Sequence, residues 1–226
     1  MTIHSSSQHA NPSLVETWLK GWSLAKGVGL PVPDYDGFRV DVGWADQQIR
    51  YVFPAISAGL LHLAQTITEP YIFLKVCAPA TAIQPHLPPR WIIQPPGFMM
   101  TNHLPDSPPR LHLPDGYRLN IQTETSVITA SIYTAEETVA ATGHMVIVDD
   151  YIIYDRIATD PAHQRRGLGS AVMNALTAQG ISMGKNKGIL VATSAGKALY
   201  ETLGWQLYSP YTTAVIPADE TYQDAK

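Results

Sequence analysis

The sequence predicts an α/β (α+β) protein on the strength of three observations. The stretch from Tyr117 to Thr159 lacks proline and alternates apolar with polar residues, which is typical of successive half-buried strands. Two apolar stripes at helical spacing follow, over residues 168–179 and 195–203. Between them, the mostly apolar run Lys187–Thr193 predicts a strand buried on both faces. The predicted order in this half of the chain is therefore β-β-β-β-α-β-α-β-β.

Composition excludes several classes of protein. The 226 residues are 45% hydrophobic and only 15% charged, which allows a sizeable core and excludes wholesale disorder. The net charge of −4 lacks the basic excess of a nucleic-acid binder. Apolar stretches such as Ala55–Ala64 reach about half of the roughly 20 residues that a membrane span needs. Cys77 is the single cysteine, and no secretory signal is visible, so we expect a cytoplasmic protein.

Proline placement divides the chain. Eleven of the 18 prolines fall between Pro70 and Pro114, a stretch that should form loops and edge strands rather than helix. We place the seam between two halves at about residues 102–115. The predicted domains are a disordered tail over 1–12, an N-terminal half over 13–105, a C-terminal half over 115–218 and a second tail over 219–226.

The elements of the N-terminal half follow from local patterns. A capping box formed by Ser13 and Glu16 predicts a helix that ends at Lys26, before Gly27. Further elements are predicted as a strand over 37–43, a helix over 55–67, a strand over 71–76 and short strand pieces after Arg90 and Gly97.

The elements of the C-terminal half are clearer. Four strands are predicted over 117–121, 127–133, 139–148 and 151–159. A helix begins at Leu168 and should stop at Gly180, and a shorter helix over 195–203 should stop at Gly204. The strand over 187–193 lies between these helices, and a hairpin-like pair over 205–208 and 212–216 closes the chain.

The most informative segment is residues 164–169, Gln-Arg-Arg-Gly-Leu-Gly, between a predicted strand and a predicted helix. Its glycines let the backbone approach a ligand, and the first helical turn offers free N–H groups to an anion. Arg165 and Arg166 add charge, so a phosphate or pyrophosphate is expected here. A dinucleotide fingerprint would need a third glycine where Val172 stands. The alternative is an ordinary glycine-rich helix start with solvated arginines.

Two segments carry a family resemblance. Residues 157–173 contain Gln-Arg-Arg-Gly-Leu-Gly and resemble the acetyl-CoA signature of the GNAT family of N-acetyltransferases, Gln/Arg-x-x-Gly-x-Gly/Ala. Residues 198–205 resemble the second signature of that family, Leu-Tyr-x-x-x-Gly-aromatic. The resemblance covers about residues 117–217. It implies a GNAT-like acyl-CoA N-acyltransferase fold, with a mixed central sheet flanked by helices, that moves acetyl from acetyl-CoA to a primary amine of a small molecule or peptide.

The resemblance also implies binding positions. In the family, the fourth strand runs beside the pantetheine and the glycine-rich turn holds the pyrophosphate. Thr193 stands where many members have an asparagine, which is a departure. The implied cofactor contacts are Ile157, Ala158, Thr159, Gln164, Arg165, Arg166, Gly167, Leu168, Gly169, Ser170 and Thr193.

Tyr200 occupies the position of the family's usual general acid. A free thiol has a pKa near 8.5, so a departing CoA thiolate gains from a nearby proton donor. The alternative for Tyr200 is a packed aromatic on a short helix. Asp155 is the best candidate for the general base, with His144 as a rival. An ion pair of Asp155 with Arg156 or Arg118 is the alternative. No histidine pair has metal-site spacing, so no metal is expected.

The sequence departs from the family where the acceptor should bind. The usual first strand and two helices are not recognisable between Tyr117 and Val127. The N-terminal half instead resembles a degenerate GNAT-like copy that lacks the glycine-rich turn, and we expect it to complete the acceptor side. Catalytically silent acyl-CoA binding and a purely structural role are the alternative functions, and a homodimer is left open.

Overall fold

The structure is a computed structural model, and it describes residues 9–218. The described chain forms two compact units, and neither is continuous in sequence. Unit 1 comprises residues 9–16, 31–97 and 209–218, whereas unit 2 comprises residues 17–30 and 98–208. The predicted seam at 102–115 therefore lies inside unit 2, and each unit takes a segment from the opposite half of the chain.

The predicted tails are described only in part. Residues 1–8 and 219–226 lie outside the described residues. Ala10, which falls in the predicted tail, is buried, and its amide donates to the Pro54 carbonyl at 3.2 Å. Ala10 therefore packs with the rest of unit 1.

Unit 1 contains a mixed sheet against which helix α2 packs. Its strands run in the order β1-β2-β3-β4-β12, and β5 pairs with β12. β3 and β4 are parallel and are joined by α2, whose apolar residues pack on the sheet. Helix α1 (Pro12–Lys26) and strand β12 (Gln206–Val215) are divided between the units. The other elements are β1 (Val32–Asp34), β2 (Gly37–Trp44), β3 (Gln47–Phe53), α2 (Ala58–Thr66), β4 (Ile72–Val76), α3 (Ala80–Ile83) and β5 (Ile92–Ile93).

Unit 2 contains a mixed sheet in the order β6-β11-β10-β9-β8-β7. The strands β7 to β10 are antiparallel neighbours, whereas β10 and β11 are parallel and are joined by α4. This sheet with its helices confirms the predicted fold class. The elements are β6 (Gly97–His103), β7 (Tyr117–Glu124), β8 (Val127–Thr134), β9 (Val139–Val148), β10 (Tyr151–Thr159), α4 (Leu168–Ser182), β11 (Lys187–Thr193) and α5 (Ser194–Thr202).

Several predicted boundaries are wrong. The side chain of Asn11 accepts from the Ser13 amide at 2.9 Å, so Asn11 caps α1 in place of the predicted capping box, and Pro12 opens the helix. Helix α4 continues past Gly180 to Ser182. The predicted terminal hairpin is one long strand, β12, and neither β1 nor β3 was predicted.

Two helices approach strand β10 closely through glycine, one from each face. An added Cβ at Gly180 of α4 would lie 2.0 Å from Ile152 Cδ1. An added Cβ at Gly21 of α1 would lie 2.3 Å from Ile153 Cγ1 and 2.6 Å from Ile153 Cβ. Glycine weakens a helix interior by roughly 0.5–1 kcal/mol relative to alanine. The close approach explains why glycine stands at both positions.

We expect Gly21→Ala to destabilise the protein by about 1–3 kcal/mol, because the added methyl overlaps Ile153. This is opposite to the change that helix propensity alone predicts. The change in the free energy of unfolding is measured as a shift in the midpoint of urea denaturation, monitored by circular dichroism. The double variant Gly21→Ala/Ile153→Ala removes the contact with Ile153 Cγ1 but keeps the one with Ile153 Cβ, so the effect of Gly21→Ala should shrink only in part in that background. A midpoint for Gly21→Ala at or above that of the wild type would contradict the prediction.

Candidate active site

A cleft opens where strands β10 and β11 stop pairing. The two strands pair in parallel only from Tyr151 to Ile153 on one side and over 187–189 on the other. Beyond these pairs, both strands line a cavity of about 900 Å³, together with the start of α4 and with α5. The backbone of β10 past Ile153 therefore has an edge that β11 does not occupy, and this edge faces the cleft.

A β-bulge bends β10 inside the cleft. Asp155 pairs with His144 and Ala158 pairs with Thr142, so β10 has one extra residue between these pairs. Arg156 within the bulge has a φ of 53°. A bulge leaves one residue without ladder partners and turns the strand. As a result, three successive side chains, Asp155, Arg156 and Ile157, all line the cavity.

The turn before α4 presents backbone amides to the cleft. Arg165 and Gly167 have φ values of 61° and 78°, and Gly167 is the N-cap of α4. Because Gly167 has no side chain, it makes no capping hydrogen bond to the N–H groups in the first turn of α4. Residues that alternate between right-handed and left-handed backbone conformations point successive N–H groups into one concavity. Together with the free N–H groups of a helix start, such a concavity binds anions. Arg165 lines the same cavity and adds positive charge.

Tyr200 of α5 also lines this cavity. Burial, and second the charge of Asp155, raise the pKa of its phenol to about 12, so the hydroxyl is protonated at neutral pH. Its ring packs against Trp205 with a centroid distance of 6.1 Å. In the described chain no protein group is hydrogen-bonded to this hydroxyl, which leaves its proton available to a ligand.

Asp155 forms an ion pair with Lys26, the last residue of α1. Lys26 Nζ lies 2.8 Å from Asp155 Oδ2, without the alignment of a hydrogen bond, and Arg156 Nε lies 3.9 Å from the same oxygen. Arg118, which was considered as a partner for Asp155, pairs with Glu137 instead. Asp155 is thus an anionic group in the cleft wall that α1 holds in place.

Residues 129–207 match the family model described as an acetyltransferase (GNAT) domain. Over this segment the chain is similar to the GNAT family. The match confirms the resemblance drawn from the two signatures, and family and fold together support acyl transfer. The proposed GNAT-like copy in the N-terminal half stays a prediction.

Solved structures share this fold over most of the chain. A GCN5-related N-acetyltransferase from Kribbella flavida superposes with a TM-score of 0.65 at 13% identity, covering 92% of this chain and 96% of that one. A protein assigned to the GNAT family from Novosphingobium aromaticivorans gives 0.58 at 16% identity, covering 89% and 98%. A third, from Sphaerobacter thermophilus, gives 0.57 at 12%, covering 80% and 77%. No curated protein matches the sequence.

The matched segment brings most of the predicted cofactor positions to one cleft. Ala158 and Arg166 are the two that do not line it: Ala158 is exposed on β10, and the Arg166 guanidinium donates to the Tyr117 hydroxyl at 3.0 Å. Thr193 caps α5 by accepting from the Gly196 amide at 3.2 Å, and its hydroxyl proton can still be donated. The predicted positions that line the cleft are Ile157, Thr159, Gln164, Arg165, Gly167, Leu168, Gly169, Ser170 and Thr193.

No sequence pattern identifies Lys26 as a site residue. A lysine in the last turn of a helix is explained by the helix dipole alone, and nothing in its neighbourhood points to a partner on β10.

In the described range 9–218, no group of three or more metal-ligating side chains is present. None of the helices in that range has the length and apolar character that a membrane crossing requires.

His144 lies opposite Asp155 but does not line the cleft. Burial first, and then the charge of Arg156, lower its pKa below 6.5, whereas Asp155 acts in the opposite direction. The imidazole is therefore neutral at pH 7, and its buried Nδ1 has no hydrogen-bond partner among the described residues.

This lowered pKa predicts a pH-dependent stability. Between the folded-state pKa and the unfolded value of about 6.5, the unfolded chain binds more protons at His144, so stability falls as pH falls through that window. We expect the urea midpoint of the wild type to drop more between about pH 7.5 and about pH 5 than that of His144→Gln. An equal drop in both proteins would contradict the prediction.

Proposed function

We propose that the protein transfers an acetyl group from acetyl-CoA to the primary amine of a small molecule or peptide, by direct attack of the amine on the thioester. One observation supports this most strongly. A single cleft of about 900 Å³ combines an anion-binding helix start, an unpaired strand edge and a protonated phenol.

The cleft fits the parts of acetyl-CoA in order. The pyrophosphate would lie on the amides at the start of α4, beside Arg165. The pantetheine arm has amide groups, and the edge of β10 past Ile153 offers backbone groups with which they can form hydrogen bonds. Because the alternating side chains Ile157 and Thr159 line this edge, the arm would pass over them toward the bulge.

The bulge at Arg156 and Ile157 supplies the electrostatic part of the reaction. When an amine attacks the thioester carbonyl, negative charge develops on the carbonyl oxygen. A backbone N–H left unpaired by the bulge is a pre-organised donor for that charge. We propose that Asp155 receives the proton released by the amine.

Tyr200 stabilises the departing thiolate in this proposal. A phenol with a pKa of about 12 is a weaker acid than a thiol, so complete transfer of its proton to the thiolate is uphill. Its main contribution is a hydrogen bond to the sulfur as the C–S bond breaks. The proton that the amine loses then restores neutrality, so the overall reaction needs no external acid.

The test has two stages. Acetyl-CoA should raise the melting temperature of the full chain, because a ligand that binds only the native state stabilises it. A library of amine acceptors is then assayed for released thiol. Failure of acetyl-CoA to bind would overturn the proposal. Binding without thiol release from any acceptor would instead favour a catalytically silent acyl-CoA-binding module.

A further inference from the structure

Tyr117, at the start of β7, contacts one residue just before the glycine-rich turn and one residue within it. Its hydroxyl lies 2.9 Å from His163 Nδ1 and accepts from Arg166 Nη1 at 3.0 Å. The Tyr117 and His163 rings also meet edge to face, with centroids 5.8 Å apart. Arg166 Nη2 also donates to the Ala162 carbonyl at 3.4 Å. The three side chains of Tyr117, His163 and Arg166 are referred to below as the turn clamp.

The chemistry of Arg166 fixes one hydrogen bond of the turn clamp. A guanidinium can only donate hydrogen bonds, so the Tyr117 oxygen is the acceptor from Arg166. The hydroxyl proton is then available to His163 Nδ1. When Nδ1 accepts it, His163 carries its own proton on Nε2.

The position of the clamp matters because it brackets Gln164 and Arg165. Arg165 has a φ of 61°, a conformation that is unfavourable for a residue with a side chain. Such a conformation persists when the surrounding contacts hold the chain on both sides. Arg165 lines the cleft, whereas Arg166 is turned away toward Tyr117.

We propose that Tyr117 is a positioning residue for phosphate recognition. By holding His163 and Arg166, it keeps the turn in the form that presents Arg165 and the α4 amides to the anionic part of the ligand. The two arginines of the motif therefore have different tasks: Arg165 meets the phosphate, and Arg166 braces the turn. The inference rests on the proposed function, since acetyl-CoA is the anionic ligand in question.

Tyr117→Phe tests the clamp because it removes only the hydroxyl. Binding of two ligands is measured by calorimetry or NMR titration: acetyl-CoA, and acetyl-pantetheine, which has the thioester arm without phosphates. We expect Tyr117→Phe to weaken acetyl-CoA about 5- to 30-fold and to leave acetyl-pantetheine unchanged. Arg166→Gln should have the same selective effect, and Arg165→Gln a larger one.

Tyr133→Phe is the matched control. Tyr133 lies on the neighbouring strand β8, where its ring contacts the Arg118 guanidinium, and its hydroxyl has no hydrogen bond among the described residues. Tyr133→Phe should leave the affinities for acetyl-CoA and acetyl-pantetheine unchanged. The ¹⁵N spectrum of His163 provides a readout without ligand: the wild type should show the Nε2–H tautomer, and Tyr117→Phe should lose that preference.

The outcomes separate the two proposals. If the wild type binds no acetyl-CoA, the proposed function fails. If the wild type binds it and Tyr117→Phe binds it equally well, the clamp is refuted while the function stands. An equal loss for acetyl-CoA and acetyl-pantetheine would also overturn the clamp, because it would show a general structural effect.

Discussion

Gly169→Glu is expected to abolish acetyl-CoA binding while the protein stays folded. A Cβ at this position would lie 3.0 Å from Leu199 Cδ2 and 3.6 Å from Thr159 Oγ1, so the side chain would enter the cleft wall. Its carboxylate would stand at the start of α4, where the pyrophosphate is proposed to bind. Like charges placed together cost several kcal/mol, which corresponds to a loss of at least about 100-fold in affinity.

Calorimetry with acetyl-CoA measures the effect of Gly169→Glu, and circular dichroism checks the fold. Gly169→Gln has nearly the same shape without the charge, so the difference between the two variants isolates the electrostatic part. Gly169→Ala should weaken binding least, because Leu199 can move its side-chain end by a few tenths of an ångström. An unchanged acetyl-CoA affinity in folded Gly169→Glu would refute the proposed phosphate site.

Tyr200→Phe is expected to lower kcat by about 10²- to 10³-fold, the typical loss for one hydrogen-bond donor to a developing anion, and to leave acetyl-CoA affinity nearly unchanged. The hydroxyl acts on the thiolate that forms as the C–S bond breaks, so its loss affects the transition state more than the bound ground state. The ring itself stays, and with it the contact to Trp205. Steady-state kinetics with an identified acceptor measure kcat, and calorimetry measures the affinity.

Two further measurements sharpen the test of Tyr200. Its pKa of about 12 predicts that ionisation of this phenol does not reduce the wild-type kcat between about pH 8 and about pH 10. Tyr151→Phe, on β10 but outside the cleft, is the matched control and should keep its activity. A fall in kcat of less than about fivefold in Tyr200→Phe would show that Tyr200 packs against the cofactor without taking part in proton donation.

Much of unit 2 could be predicted from local sequence. The strands β8, β9 and β10 follow period-two alternation, and α4 follows helical spacing from Leu168 onward. The glycine-rich turn was recognisable because its chemistry lies within six consecutive residues, 164–169. Tyr200 was identified in the same way, from a short motif on one helix. Features whose physical cause is local were therefore open to sequence analysis.

Prediction was weaker where an element depends on its neighbours. Strand β3 was missed because Tyr51, Val52 and Phe53 are all buried, so the run shows no alternation. Its identity as a strand comes from parallel pairing with β4. The helical pattern predicts a stop at Gly180, yet α4 continues because glycine there allows close contact with Ile152. In both cases packing decides the local conformation.

The sequence by itself determined most elements of unit 2 and the position of the glycine-rich turn before α4, because each depends on residues within a few positions of one another. Only the tertiary structure decided that Lys26 pairs with Asp155, that Arg166 donates to the Tyr117 hydroxyl, and that β12 pairs with β4. The physical reason is that periodicity fixes which face of an element is buried but not which distant element covers it. Strand order and helix packing make that choice, and they place side chains from remote parts of the chain around one cleft.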